Sequence, residues 1–283
     1  MNSQEFYSSV QRELWESRSI YIAPVAVAGL FLFGFVINAV RLPQRLGIEQ
    51  PYNFVAIMLM VISFLVAVFY CLDALYGERR DRSILFWKSL PVSDSTTVLS
   101  KMSIPVVVVP LVTFAITVAT HIAMLVLSSA IRLASGTSGA ALWNALPLTH
   151  IWRTLFIHLM AGHGLWYAPI YAWFLLVSAW ARRVPLLWAV LPPVAVGAVE
   201  KIAFNTSHFA AILQHRFAGG PSVSGAALRG GVSVSGGTTG MSMSMTPFTL
   251  GELLTSPGLW IGFAVATAFL AAAVKLRRDR GPI

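Results

Sequence analysis

The sequence predicts an all-α integral membrane protein, a single transmembrane domain over residues 1–283 with about six membrane-spanning helices. Composition is the first reason, because 57% of the residues are hydrophobic and only 11% are charged, whereas a soluble globular chain carries about 25% charged residues. Six stretches without Asp, Glu, Lys or Arg are the second, since most of them reach the length of about 20 residues that a helix needs to cross a bilayer. No polar stretch is long enough for a separate enzyme domain.

The N-terminal segment, residues 1–19, is predicted to be an amphipathic helix lying on the inner leaflet. The first apolar run begins at Ile20 behind acidic as well as basic residues, so we interpret it as a retained span rather than a signal peptide. Apolar positions of residues 1–19 recur at helical spacing with polar positions opposite them: Phe6, Val10 and Leu14 against Gln11, Arg12 and Glu13.

The hydropathy pattern places the spans at about 20–40, 54–73, 104–130, 153–180, 184–203 and 257–275. With the N-terminus in the cytoplasm, the inner segments hold 13 of the 20 Lys and Arg residues, so the positive-inside rule predicts that both termini are cytoplasmic. The formal charge of +9 comes from short clusters that flank apolar runs. Membrane topology therefore explains this charge, and no nucleic-acid partner is predicted.

Residues 204–256 form the one long extramembrane segment. Its first part, to Phe217, is predicted to be an outer interfacial helix, and the remainder is dominated by Gly, Ser and Thr, which is typical of a flexible loop. Three methionines there, Met241, Met243 and Met245, alternate with serines, and thioethers suit Cu(I). We favour a low-complexity loop over a copper site, so no metal site is predicted.

The segment between the second and third spans carries an apolar patch between charged residues, which predicts a short amphipathic helix. The patch runs from Ile84 to Trp87 and includes Leu90, and Pro91 follows as a turn. Ser93 or Asp94 is expected to cap the next helix. An interfacial loop that only anchors the chain to lipid headgroups is the less favoured alternative for this segment.

This segment resembles the ABC-2 type exporter permeases, which carry an acidic residue, a short helix ending in a Ser-Leu-Pro-Val-Ser-like turn, and a lysine that enters the third span. Glu78, the run Ser89-Leu90-Pro91-Val92-Ser93 and Lys101 match that pattern. The resemblance implies that the short helix is a coupling helix that docks on a separate cytoplasmic ATPase subunit. The implied docking residues are Glu78, Ile84, Leu85, Phe86, Trp87, Leu90 and Pro91.

The resemblance further implies a permease of the bacterial inner membrane that works by alternating access with a second permease copy or paralogue. ATP and Mg would be bound by the partner ATPase, and this chain would bind no cofactor. A Walker A loop needs Gly-Lys, and none of the four lysines follows a glycine. We therefore expect that the chain itself is not an enzyme. Lipid, amphipathic peptide, drug and ion all remain open as substrates.

Two sets of side chains within the spans are candidates for a translocation path. A polar stripe on the third span and two deep tryptophans on the fourth are each explained either by helix packing, which we favour, or by contact with substrate. The residues are Thr113, Thr117, Thr120 and Met124 in the stripe, with Trp166 and Trp173 on the fourth span.

Two other classes of protein remain as alternatives. One is a secondary transporter or channel that needs no ATPase, and the other is a membrane protein that assembles or senses something. A secondary transporter more typically has acidic residues near mid-membrane, and the six apolar stretches contain none.

Overall fold

The computed structural model describes residues 3–41, 50–89, 92–136, 142–143, 146–217, 231–235, 238–242 and 250–279. The regular elements in these ranges are helices, apart from one antiparallel hairpin that pairs β1 (Gly231–Ser235) with β2 (Thr238–Ser242). The predicted all-α class is therefore confirmed. The hairpin lies in the segment that the composition predicted to be a flexible loop.

Thirteen α-helices and two π-helical segments occupy the described ranges. The π-helical segments are π1 (Ile104–Val108), which joins α6 to α7, and π2 (His158–Trp166), which follows α8 directly. The α-helices are α1 Ser3–Glu16, α2 Ser19–Arg41, α3 Gln50–Ala74, α4 Tyr76–Arg80, α5 Ser83–Ser89, α6 Asp94–Ser103, α7 Val109–Ala134, α8 Leu148–Ile157, α9 Ala168–Trp180, α10 Pro185–Phe204, α11 His208–Phe217, α12 Leu250–Thr255 and α13 Pro257–Asp279.

Five described helical stretches are long and apolar enough to cross a membrane: Ser19–Ala39, Gln50–Arg80, Asp94–Ala134, Pro185–Phe204 and Pro257–Asp279. The predicted fourth span differs from these because α8, π2 and α9 follow one another with a turn at Tyr167, and α9 alone is only 13 residues long. These apolar helices are compatible with a multi-pass membrane protein. The count of six spans stays a prediction.

Helix α9 lies at the centre of the packing, between α3 and α13. Its buried side chains include Ala172 and Tyr171, and α13 presents Ala266 and Ala273 to the same cluster. Small side chains allow helix backbones to approach closely, which is how apolar helices associate in the absence of a hydrophobic driving force between them. In contrast, Ala189 is the buried residue of α10, whose other apolar side chains face outward as lipid contact requires.

The two π-helical segments pack against each other. A Cβ added at Gly164 of π2 would lie 2.5 Å from the carbonyl oxygen of Val106 in π1, so glycine is needed for this backbone approach. Pro105 in π1 has no N–H to donate, which disturbs the regular hydrogen-bond ladder at this point. Spans three and four therefore meet at irregular backbone that hydropathy did not predict.

Helix α1 packs on the protein with its apolar face, since Val10 and Leu14 contact the cluster around α9. Glu13, expected on the polar face opposite, is only 2% exposed. Tyr7 and Trp15 are instead the exposed aromatic residues, at 70% and 73%. Glu13 belongs to the predicted polar face but is buried, because its side chain meets Lys101 of α6 and Tyr70 of α3.

Candidate functional site

A cluster of buried charged side chains joins four helices at one end of the molecule. It contains Glu13 of α1, Glu78 of α4, Lys101 of α6 and Arg277 of α13, which are 2%, 9%, 2% and 4% exposed. Charged residues are almost never this buried unless they are paired. We call these four residues, together with Asp94, the charge network.

Glu78 is the centre of the charge network, because its two oxygens lie against different cations. Its Oε1 is 3.1 Å from Nζ of Lys101, and its Oε2 accepts a hydrogen bond of 3.0 Å from Nη2 of Arg277. Nη1 of Arg277 donates to Asp94, and Nζ of Lys101 donates to Oε1 of Glu13 at 2.8 Å. One carboxylate in the loop after α3 is therefore linked to the start of α6 and the end of α13.

Glu13 has two further partners. Its Oε1 accepts from Nη2 of Arg12 at 3.0 Å, and its Oε2 accepts from the hydroxyl of Tyr70 at 2.9 Å. Burial raises the pKa of Glu13, but the charge of Lys101 and these hydrogen bonds outweigh burial, so the pKa is lowered overall. The three carboxylates Glu13, Glu78 and Asp94 are matched by Lys101, Arg277 and Arg12, and this pairing offsets the cost of burying the charges.

Hydrogen bonds between neighbouring residues fix the start of α6. The side-chain oxygen of Ser93 accepts from the backbone N–H of Thr96 at 3.1 Å, as the sequence predicted for this cap. Asp94 then falls in the first turn, where a negative charge is favourable. Lys101 follows seven residues later and so lies on the same face of the helix.

A second group of polar contacts attaches the same loop to the end of α9. Oγ of Ser178 accepts from the backbone N–H groups of Leu75 and Tyr76, at 3.0 and 2.8 Å. Nη1 of Arg79 donates to the carbonyl oxygens of Ala179 and Ala181, at 2.7 and 3.1 Å. These carbonyls belong to the last turn of α9 and the residue after it, where a cation is favoured.

The residues implied as docking residues fall into two groups. Glu78 and Ile84, at 9% and 1% exposed, face the interior, while Leu85 and Phe86 are 58% and 60% exposed. Leu90 and Pro91 lie outside the described residues, as does the side chain of Trp87. The loop thus presents an apolar pair outward and is held from within by its buried members.

The candidate path residues of the third span are buried inside the chain. The stripe is at most 4% exposed, and its threonine hydroxyls donate to the carbonyl oxygens four residues earlier, as in the 2.8 Å bond from Thr113 to Val109. The same bond is made by Thr117 and Thr120, and Met124 packs in the core between α2, α3 and α7. Helix packing accounts for all four, and a path along them stays a prediction.

The two tryptophans are likewise bonded to neighbouring segments. Nε1 of Trp173 donates to the carbonyl of Ala189 in α10 at 3.0 Å, and Nε1 of Trp166 donates to the carbonyl of Arg216 in α11 at 3.0 Å. The guanidinium of Arg216 stacks over Trp166 at 4.2 Å from the ring centroid and rests where Gly262 has no side chain. Burial lowers the pKa of Arg216 to about 10.

Sequence reasoning missed most members of the charge network. In the sequence, Arg277 is one of the 13 basic residues of the predicted inner side, and Asp94 is predicted only as a possible helix cap. Their partnership has no local signal, because Asp94 and Glu78 lie 183 and 199 residues before Arg277. Only the resemblance to the permease family singles out Lys101 and Glu78.

The charge network consists of carboxylates paired with cations from different helices, an arrangement suited to holding those helices together. Among the described residues no group of three His, Cys, Asp or Glu is placed to hold a metal ion. The chain matches no protein-family model, no curated protein and no solved structure. The class that the fold supports is a multi-helix protein of membrane-compatible composition.

Proposed function

We propose that this chain is the membrane-spanning permease subunit of an ATP-driven exporter of the ABC-2 type, which transports its substrate by alternating access with a separate ATPase. The observation that carries the proposal is the two-sided construction of the α4–α5 loop. Leu85 and Phe86 are exposed, while Glu78 of the same loop is buried between cations from α6 and α13. This is the same loop whose sequence resembles the coupling helix of those permeases.

The charge network provides a means of transmitting movement from a docked partner. Glu78 cannot leave Lys101 or Arg277 without exposing unpaired buried charge, at a cost of about 3–5 kcal/mol. A displacement of the loop therefore carries α6 and α13 with it. Ser178 and Arg79 add α9 to the moving unit. Three helices, α6, α9 and α13, would respond to a push on Leu85 and Phe86.

In this proposal ATP and Mg bind to the partner ATPase, and a second permease copy or paralogue completes the transport unit. Both termini and the α4–α5 loop face the cytoplasm of a bacterium. The buried acidic side chains among the described residues are Glu13 and Glu78, both at the loop end of the spans. A secondary transporter gains no support from this arrangement, because its coupling residues would be expected near mid-membrane.

The proposal expects a neighbouring reading frame that encodes a soluble protein with Walker A and B motifs, and the test is co-purification with that ATPase, followed by measurement of ATP hydrolysis. Leu85→Glu and Phe86→Glu place a charge on the exposed face of α5 without touching the charge network. We expect either change to reduce recovery of the ATPase at least ten-fold.

Leu133→Glu is the matched control, since Leu133 is a 66% exposed leucine at the far end of α7. It should bind the ATPase as the unaltered chain does. Equal ATPase recovery and turnover with Leu85→Glu, Phe86→Glu and Leu133→Glu would show that the loop is not the docking surface.

A further inference from the structure

The connection between α9 and α10 presents two exposed arginines. Only residues 181–184 separate Trp180, the last residue of α9, from Pro185, the first of α10. Arg182 and Arg183 are both exposed, and neither has an ion-pair or hydrogen-bond partner among the residues that the structure describes. Two adjacent cations thus stand at the end of two apolar helices, and no carboxylate in the described ranges neutralises them.

Two tryptophans flank this arginine pair. The rings of Trp180 and Trp188 meet edge to face with their centroids 4.9 Å apart, and the residues are 37% and 39% exposed. Leu186 and Leu187, which precede Trp188 on α10, are 48% and 55% exposed. Indole rings prefer the level of the lipid headgroups, and exposed leucines prefer the acyl chains. The segment therefore combines positive charge, indole rings and aliphatic side chains, the groups that suit the phosphate, the interfacial region and the acyl chain of a lipid.

The backbone of the connection is held in one conformation. Val184 has φ of +46°, a left-handed value that a β-branched residue adopts only when the surrounding structure imposes it. On the other side, Arg79 donates to the carbonyl of Ala181 at 3.1 Å. Arg79 therefore already has carbonyl partners, while Arg182 and Arg183 are exposed.

We propose that Trp180, Arg182, Arg183 and Trp188 form a binding surface for an anionic phospholipid. The guanidinium groups would pair with the phosphate, and guanidinium is the cation best suited to two parallel hydrogen bonds with it. The paired indoles would lie beside the glycerol, and Leu186 and Leu187 would contact the acyl chain. This surface is separate from the charge network and does not depend on an ATPase partner.

The experiment is native mass spectrometry of the purified full chain titrated with phosphatidylglycerol or phosphatidylcholine. The test variant is Arg182→Gln with Arg183→Gln. Each cation near a membrane surface contributes roughly five-fold to the affinity for anionic lipid, so the first phosphatidylglycerol should bind about 25-fold more weakly to this variant. Phosphatidylcholine binding should not change. Arg182→Lys with Arg183→Lys keeps both charges and should recover most of the affinity.

The matched control removes two cations that lie far from the arginine pair, one at the start of the stretch from α8 to α9 and one near the end of α10. Arg153 of α8 and Lys201 of α10 are both exposed, so Arg153→Gln with Lys201→Gln lowers the net charge equally. The proposal is overturned if this control weakens phosphatidylglycerol binding as much as the test variant does, or if the test variant binds it unchanged. It is also overturned if inorganic phosphate alone competes at the same concentration as the lipid, or if the arginine change lowers ATPase recovery while lipid affinity stays constant.

Discussion

Replacing Lys101 with methionine tests how the charge network holds the helices together. Methionine keeps the length of the side chain but removes the ammonium that lies 2.8 Å from Glu13 and 3.1 Å from Glu78. Removing one partner of a buried ion pair costs about 3–5 kcal/mol, because the remaining charge is left uncompensated. Each carboxylate here retains another cation, Arg12 for Glu13 and Arg277 for Glu78. We therefore expect a loss near the lower limit, about 3 kcal/mol.

Thermal unfolding in detergent measures this loss, with the fraction of protein that remains monodisperse as the signal. A change of 1 kcal/mol shifts Tm by about 2–4 °C for chains of 150–250 residues, so Lys101→Met should lower Tm by roughly 6–12 °C. Lys275→Met is the control, because Lys275 is an exposed lysine on α13 and its replacement should change Tm little.

A double-mutant cycle separates the pair from its surroundings. Glu78→Gln alone and Lys101→Met alone each remove one charge of the 3.1 Å pair while the other member keeps its second partner, whereas the double variant removes both members. The two losses should therefore fall short of additivity by about 1–3 kcal/mol. Additive losses, or a Lys101→Met variant as stable as Lys275→Met, would refute the network as the link between the helices.

The other predictions concern Glu13 and two glycines. Because the pKa of Glu13 is lowered from its ordinary value of 4.5, its ionised form stabilises the fold above that pH and the benefit is lost as the pH falls below it, so the Tm difference between the unaltered chain and Glu13→Gln should shrink in acid. Gly164→Ala would press a Cβ onto the backbone carbonyl of Val106, with an expected loss of about 1–3 kcal/mol in thermal unfolding. Gly262→Ala would meet only the flexible end of Arg216, so stability should fall less, while the fluorescence of the stacked tryptophan shifts as the guanidinium moves.

Gly34→Ala is the common control for both glycine variants, since an added Cβ there has no atom within 4 Å. The reasoning about Gly164 fails if Gly164→Ala unfolds at the same temperature as Gly34→Ala. A pH-independent Tm difference for Glu13→Gln would contradict the assigned ion pair with Lys101. Unchanged tryptophan emission in Gly262→Ala would contradict the stacking of Arg216.

Local signals predicted the parts of the fold that depend on nearby residues. The apolar helices follow from uninterrupted hydrophobic runs, and the cap at Ser93 follows from hydroxyl chemistry over four residues. The sequence predicts that α5 is amphipathic but not which of its apolar residues are buried. Ile84 is buried and Leu85 is exposed because of the way the helix packs on its neighbours.

The remaining features depend on contacts between distant segments. The turn at Tyr167 and the π-helical segments have no hydropathy signature, since the apolar run continues through them. From its position in the sequence, Glu13 belongs to the polar face of an amphipathic helix. Only the structure shows that Lys101, 88 residues later, lies beside it. Long-range ion pairs of this kind leave no periodic pattern along one chain, which is why the charge network emerged only from the structure.

Site-specific cross-linking to the proposed ATPase partner tests the central proposal most directly. Cys71 is the single cysteine and is buried, so Cys71→Ser provides a background for one introduced thiol. The proposal predicts that Phe86→Cys cross-links to the ATPase and that Leu133→Cys does not, and that a membrane-impermeant thiol reagent applied to intact cells labels Leu133→Cys alone. Labelling of Phe86→Cys from outside the cell, or its failure to cross-link while Leu133→Cys succeeds, would contradict the proposal.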